Sequence, residues 1–380
     1  MSFSKLGIST HLQKALAAEK FDKVYPIQEK AIPPILARKD VLGIAPTGSG
    51  KTAAFVLPIL MNLKGKTETK NRHINVLVLV PTRELAIQVE EVFRLFGKAL
   101  PFPFKSFAVY GGASINPQMK SLQNVNVLVA TPGRLLELSE SNAMHFDELS
   151  CLVLDEADKM LNLGFKKEMD KILSLLPAKR QNLLFSATLS PEVQKVEKLI
   201  LRNPKLIKVK NETDDLSLIQ QLGYFVKSEN KGPLLRYLIE KDNLQQVLVF
   251  TSSTYQADLV ADKLRKNGID AMAIHSKKSQ GKRRDALTNF KSGELRVLVA
   301  TDLLSRGIDI EFLPHVINYE LPRSPKDFVH RIGRTGRAEN PGQALTLITE
   351  EDKQHFRVIQ KKMKRWVTMV DSENIDLKSY

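Results

Sequence analysis

Cysteine is nearly missing from this chain: Cys151 stands alone among 380 residues, which excludes an internal disulfide framework and any cysteine-built metal site. It sits in the apolar run Cys151-Leu152-Val153-Leu154 and is expected to be a buried small hydrophobe. No apolar run approaches the roughly 18 residues that span a bilayer. The opening Met1-Ser2-Phe3-Ser4-Lys5 lacks the hydrophobic stretch of a secretory signal. These absences predict a soluble, cytoplasmic protein with no membrane partner. Acidic residues are also outnumbered, 42 against 57 basic, for a formal charge of +15 and a pI near 9.6. Such an excess suits a polyanionic partner, although a basic surface also serves solubility alone. Residues 1–207 hold 28 basic against 19 acidic side chains and the remainder 29 against 23, so both halves are basic.

With 43% hydrophobic residues the chain can bury one large core or two ordinary ones, and two domains are expected. Short β-rich runs alternate with longer amphipathic stretches: Val76 to Val80, Val127 to Ala130, Leu152 to Leu154 and Leu183 to Phe185, then Val247 to Phe250, Ala271 to Ile274, Val297 to Ala300 and Val316 to Tyr319. That rhythm predicts an α/β fold of two tandem doubly wound parallel-sheet domains. Val127-Leu128-Val129-Ala130-Thr131 recurs as Val297-Leu298-Val299-Ala300-Thr301, which suggests a duplicated core or the chance overlap of Val/Leu-rich strands. The expected boundaries are a first domain at 1–207, a polar linker at 208–216, a second domain at 217–368 and a short tail at 369–380. In such sheets ligands bind beyond the carboxyl ends of the strands, so decisive residues belong just after each apolar run.

The run Asp40 to Ile44 reads as a strand, followed by Ala45-Pro46-Thr47-Gly48-Ser49-Gly50-Lys51-Thr52 and a helical segment. Strand, glycine-rich loop and helix appear in the order of a phosphate-binding loop, with Ala45 where the first glycine is usual. Gly48 and Gly50 let backbone N–H groups turn towards phosphate oxygens, Lys51 reaches the β- and γ-phosphates, and the Thr52 hydroxyl suits Mg²⁺. Alone, the loop could be a tight glycine turn. Leu152 to Leu154 runs into Asp155-Glu156-Ala157-Asp158. Asp155 suits a Mg²⁺ held largely through water and Glu156 suits polarisation of the attacking water, against the alternative of a solvated acidic turn. Positive charge for the γ-phosphate is offered by His330-Arg331-Ile332-Gly333-Arg334-Thr335-Gly336-Arg337, whose arginines recur every three residues on an expected helix start and so face one way. A surface or nucleic-acid patch is the plainer reading of such a cluster taken alone.

Together these segments resemble the DEAD-box RNA helicases of helicase superfamily 2, over nearly the whole chain and in the form of a bacterial-type two-domain core. Asp155 to Asp158, Ser186-Ala187-Thr188, Pro81-Thr82-Arg83-Glu84-Leu85-Ala86, Gly111-Gly112, Thr131-Pro132-Gly133-Arg134, Arg306-Gly307-Ile308-Asp309 and His330 to Arg337 follow the family's order. The resemblance implies tandem RecA-like domains, ATP and Mg²⁺ as cofactors, and RNA as partner. Phe21 to Gln28 is similar to the family's adenine motif, implying that Phe21 stacks on the base and Gln28 bonds its edge; Lys20, Val24 and Tyr25 depart from it. Phe3 matches the isolated upstream aromatic. By the same resemblance Asp309 contacts the ribose, Arg334 and Arg337 engage the γ-phosphate, and Ser186, Thr188 and His330 couple the ATP site to RNA. RNA contacts are implied for Pro81, Thr82, Arg83, Gly111, Gly112, Thr131, Pro132 and Arg134 in the first half, and for Thr251, Gln280, Arg283, Thr301 and Asp302 in the second. Glycine pairs and Thr/Arg side chains after strands offer donors to phosphate and sugar without apparatus for reading bases, so sequence-independent binding is expected.

The function expected is RNA-stimulated ATP hydrolysis coupled to closure of two domains, with local separation of short duplexes or remodelling of RNA–protein assemblies, by a monomer. One alternative is a nucleotide-gated RNA clamp acting mainly by binding. Another is a small-molecule kinase of phosphate-loop type, which the second domain and its arginines disfavour. His275 has no companion at metal spacing and reads as a loop residue near RNA. The stretch Lys361 to Trp366 looks like a basic aromatic patch, but Phe356, Ile359 and Met363 suggest a helix with an apolar stripe. The residues after Val367 reveal no dedicated RNA module.

Overall fold

A computed structural model describes residues 2–46, 48–63, 72–209, 218–302, 313–336, 341–377 and 380. Contacts divide the chain into Met1–Asn211 and Glu212–Tyr380. In the first unit, strands β1 (Val41–Ile44), β2 (Val76–Leu79), β3 (Ser106–Val109), β4 (Val127–Ala130), β5 (Cys151–Leu154), β6 (Gln181–Ser186) and β7 (Lys205–Lys208) form one sheet in the order β3-β4-β2-β5-β6-β1-β7. Every described pairing is parallel. The strands are apolar at successive residues because both sheet faces are covered. Val76 and Val78 join the core that packs Phe55, Phe93 and Phe96, while Leu77 and Leu79 point into a second core with Leu135, Met160 and Ile172.

The second unit repeats the plan. Strands β8 (Ile219–Phe225), β9 (Val247–Thr251), β10 (Ala271–Ile274), β11 (Val297–Thr301), β12 (His315–Asn318), β13 (Gly342–Ile348) and β14 (Thr368–Asp371) run β10-β11-β9-β12-β13-β8-β14. This is the permutation of the first sheet, strand for strand. The recurring pentapeptide falls on β4 and β11, the same position in each sheet, and its register recurs too: Val127 pairs with Val76 of β2, and Val297 with Val247 of β9. The duplicated-core reading of the sequence therefore has a structural counterpart.

Three sequence expectations about boundaries meet a different picture. Lys208, expected to open the linker, closes β7, and residues 210–216 of that linker lie outside the described residues. The expected tail begins inside β14, which pairs in parallel with β8, and Ile375 and Leu377 pack on the second unit's core. An edge strand only half-buried leaves too weak a pattern to be read from Thr368-Met369-Val370-Asp371. The segment His330 to Arg337 is no helix start. The helix spans Pro325–Ile332, with Ser324 Oγ accepting from Asp327 N at 3.2 Å and Pro325 in its first turn, so Arg331 lies in its last turn and Arg334 beyond its carboxyl end, while Arg337 lies outside the described residues. Arg331 and Arg334 therefore do not share one helical face.

Candidate active site and nucleic-acid interface

The carboxyl ends of the adjacent strands β5, β6 and β1 gather the phosphate-site residues. Lys51 opens helix α3 (Lys51–Asn62), and Gly50 caps it at φ 83°, a left-handed conformation that only glycine adopts without strain. A Cβ at Gly50 would lie 2.5 Å from Gln28 Nε2. The loop is tied down by Ala45 N donating to Ser186 O at 3.0 Å and by Ser49 Oγ donating to Pro46 O at 2.7 Å. Lys51 is buried, its ammonium donating to the carbonyls of Ala45 at 2.8 Å and Pro46 at 2.7 Å. Thr52 is half-buried beside it, while Thr47 lies outside the described residues.

Gln28 is buried in helix α2 (Pro26–Leu36). Its Oε1 accepts from Tyr25 N at 3.0 Å, and its Nε2 donates to Gly50 O at 3.2 Å. The expected adenine motif is thus hydrogen-bonded to the phosphate loop. Phe21 packs edge-on against Phe96, ring centroids 5.4 Å apart, and Phe3 is buried in the same core.

At the tip of β5, Asp155 is buried, and burial pushes its pKa up to about 7, helped by the charge of Glu156 and opposed by Lys51. Its Oδ1 accepts from Glu156 N at 2.9 Å. Glu156 holds φ 54°, a left-handed conformation unusual for a glutamate, and caps the helix Ala157–Asn162. Its Oε1 takes Lys159 Nζ at 2.6 Å, whereas its buried Oε2 has no hydrogen-bond partner. Asp158 accepts from Thr188 Oγ1 at 2.8 Å, and Ser186 Oγ donates to Thr188 O at 2.7 Å. The Asp155 to Asp158 and Ser186 to Thr188 segments are thereby hydrogen-bonded to each other. Among the described residues there is no group of three or more His, Cys, Asp or Glu that could hold a metal ion. The buried carboxyls of Asp155 and Glu156, one Glu156 oxygen without a partner, offer oxygen donors of the kind a hard cation takes.

The neighbouring strand ends β3, β4 and β2 carry the first unit's expected RNA residues. Thr82 caps helix α4 (Arg83–Gly97), its Oγ1 accepting from Leu85 N at 3.3 Å. The guanidinium of Arg83 lies over Gly112, where a Cβ would sit 2.2 Å from it, and Gly112 has φ 72°. Arg134 is buried, donating to Ala113 O and to Glu137 Oε2, each at 2.8 Å. Thr131 and Pro132 start the helix Pro132–Glu140, and Thr131 N donates to Val109 O at 3.1 Å. Two arginines therefore hold the Gly111-Gly112-Ala113 loop between them, while Gly111 faces open space.

In the second unit the corresponding ends β10, β11 and β9 carry the rest. Thr251 and Thr301 are ladder partners at the ends of β9 and β11, both buried. Gln280 starts the helix Gln280–Ser292, and Arg283 donates to its Oε1 at 3.4 Å. His275 is buried 3.0 Å from Asp258, which also takes Lys278 at 2.7 Å. His275 is a loop residue, as expected, with its imidazole buried and Asp258 beside it. Asp302 gives both carboxylate oxygens to Arg331, at 2.6 and 2.8 Å. Arg331 was unassigned by sequence reading; the start signal Ser324-Pro325 would have set it in the last helical turn. Arg334 is buried just past that helix, and His330 is half-buried in it. Arg306, Asp309 and Arg337 lie outside the described residues. In the helix Lys353–Met363, Phe356 and Ile359 are buried and Met363 packs against them, as the apolar stripe predicts, leaving Trp366 exposed.

Among the described residues of the second unit, the place that the phosphate loop takes in the first is built differently. Lys231 opens the helix Lys231–Lys241 after β8, the place Lys51 takes after β1. Its connecting residues Val226 to Asn230 contain no glycine, and Lys231 is engaged by Tyr319 O at 3.1 Å and Asp352 at 3.5 Å. The groove there, about 1280 Å³, is lined by six carboxylates, Glu229, Glu350, Glu351, Asp371, Glu373 and Asp376, against two lysines, Lys227 and Lys353, an acidic balance that disfavours a phosphate.

Known proteins resemble this chain over nearly its whole length. The DEAD/DEAH box helicase family matches residues 25–196, and the helicase conserved C-terminal domain matches residues 230–339. The ATP-dependent RNA helicase CshA of Limosilactobacillus reuteri is 40% identical over 362 residues, covering 95% of this chain and 72% of that protein. The DEAD-box ATP-dependent RNA helicase CshA of Bacillus subtilis is 38% identical over 382 residues, covering 99% and 75%. Among solved structures, S. cerevisiae Dbp5 bound to RNA and ADP BeF3 matches with a TM-score of 0.85 at 29% identity, covering 100% of this chain and 99% of that one. A DEAD box protein from the hyperthermophile Methanococcus jannaschii matches with a TM-score of 0.55 at 35% identity, covering 97% and 99%. No helix among the described residues is long and apolar enough to cross a membrane.

Proposed function

From a chain that belongs to the DEAD-box family of ATP-dependent RNA helicases, we propose how its own residues divide the work of RNA-dependent ATP hydrolysis. Backbone N–H groups of residues 47–50, the start of helix α3 and Lys51 bind the phosphates. Phe21 and Gln28 select adenine. The Gln28 carboxamide keeps one donor and one acceptor position beyond its bonds to Tyr25 and Gly50. Asp309 holds the ribose. Thr52 and Asp155 would hold Mg²⁺, which supplies charge neutralisation on the phosphate oxygens when bound.

Glu156 orients the water that attacks the γ-phosphorus and takes up its proton, as the bond to the β–γ bridging oxygen breaks. The observation that carries this reading is its buried Oε2, left without a partner at a residue in a strained left-handed conformation beside Asp155. Arg334 and Arg337 of the second unit stabilise the charge that develops on the transferred group. The Asp158–Thr188 hydrogen bond and His330 relay the state of the nucleotide to the RNA-binding residues. Those residues grip the backbone of cytoplasmic RNA without reading its sequence, and the output is local separation of short duplexes or remodelling of RNA–protein assemblies.

Glu156→Gln tests the assignment. RNA-stimulated hydrolysis should fall by at least about a hundredfold while ATP-dependent RNA retention on a filter persists. Hydrolysis within threefold of the parent would remove Glu156 from the chemistry.

A further inference from the structure

Arg331 is 2% exposed, yet it carries a full charge. Its guanidinium makes four hydrogen bonds: Nε and Nη2 to the two oxygens of Asp302 at 2.6 and 2.8 Å, and Nη1 to Asn318 Oδ1 at 3.2 Å and Glu320 O at 2.6 Å. It also lies 4.9 Å above the Phe250 ring. The ends of β9, β11 and β12 thus converge on one side chain in the last turn of the helix Pro325–Ile332, directly before Arg334. A buried charge of this kind is retained only where its partners are fixed in geometry.

We propose that Asp302 is not an RNA ligand but the anchor of Arg331, and that the Asp302–Arg331 pair positions the turn bearing Arg334 for ATP hydrolysis. Both Asp302 oxygens are committed to the guanidinium. Thr301, by contrast, is held by the β11–β9 ladder opposite Thr251, so the backbone of that strand end does not depend on the pair. The Arg334 turn follows the helix end, where Arg334 N donates to Arg331 O at 3.2 Å, and its other anchor is Leu313 N donating to Arg334 O at 3.0 Å. Loss of the pair therefore loosens the arginine turn and leaves the strand end in place. Arg331 and Asp302 are positioning residues in this account, which rests on the ATPase reading above.

The test is RNA-stimulated ATPase and RNA affinity of Asp302→Asn, Arg331→Lys and the double variant, beside the parent. Expected are an RNA Kd within threefold of the parent, a kcat at saturating RNA reduced at least tenfold in each single variant, and a double variant no slower than the slower single. Arg331→Lys keeps the charge but not the two-pronged geometry, so it does not rescue. An RNA Kd weakened tenfold with kcat retained would make Asp302 an RNA ligand and overturn the inference. A kcat within threefold of the parent, or additive losses in the double variant, would overturn it as well. Should Arg331→Lys not fold, Asp302→Asn decides by the same split between Kd and kcat. A parent that RNA does not stimulate would instead remove the ATPase reading beneath it.

Discussion

At the residue scale, local environment separates groups that look alike in a sequence. Cys151 is a nucleophile by type, but burial pushes its thiol from 9.0 up to about 12. The raised value lowers the thiolate fraction near pH 8 by about a thousandfold, and the closed sheet bars reagent access. Alkylation of Cys151 at pH 8 should be at least a hundredfold slower in the folded chain than in denaturant, as followed by mass spectrometry; comparable rates would contradict its place in β5. Residue chemistry also sets how far the site could be read in advance. Lys51, Asp155 and Glu156 were legible because phosphate and water chemistry demand those types at those strand ends. Arg331 was not, because nothing in three evenly spaced arginines says which one turns inward to Asp302. Burial decides that, and burial is a property of packing.

At the element scale, strands were legible where both faces are covered and the run is apolar throughout, as in β2, β4, β9 and β11. The missed strands differ physically. β3, β7 and β14 lie at sheet edges with part of their surface exposed, and β8 carries polar residues such as Gln220 and Gln221. β13 opens on Gly342-Gln343, which breaks its apolar pattern. The same limit affected the arginine segment, where three-residue spacing suggested a helix while the cap at Ser324 set the helix one turn earlier. Elements also explain the glycine pair. Gly112 is left-handed and lies beneath the Arg83 guanidinium, so Gly112→Ala adds backbone strain of about 1 kcal/mol and displaces Arg83. RNA affinity at fixed salt should weaken about threefold to tenfold while ATP affinity holds. Unchanged RNA binding by fluorescence anisotropy would separate this loop from the RNA face.

At the scale of the whole molecule, duplication with divergence is the main theme. Two sheets share one strand order, yet their strand ends differ in chemistry. In both units the ends of the three strands on one side carry the expected RNA residues. The other ends hold a glycine-rich cradle with Lys51 in the first unit, and an acidic groove with Lys231 neutralised in the second. A repeated pentapeptide announced the duplication, but the loss of the second cradle required the positions of Asp352 and Tyr319. The basic excess in both halves fits a polyanion gripped by each unit. Preference for RNA over DNA rests on contacts to 2′-hydroxyls, which no motif displays. Steady-state ATPase with a single-stranded RNA and with DNA of the same sequence, at matched salt, therefore tests the account most directly. The account predicts stimulation at least tenfold greater with RNA; equal stimulation by both, or none by RNA across a range of lengths and salts, would contradict it.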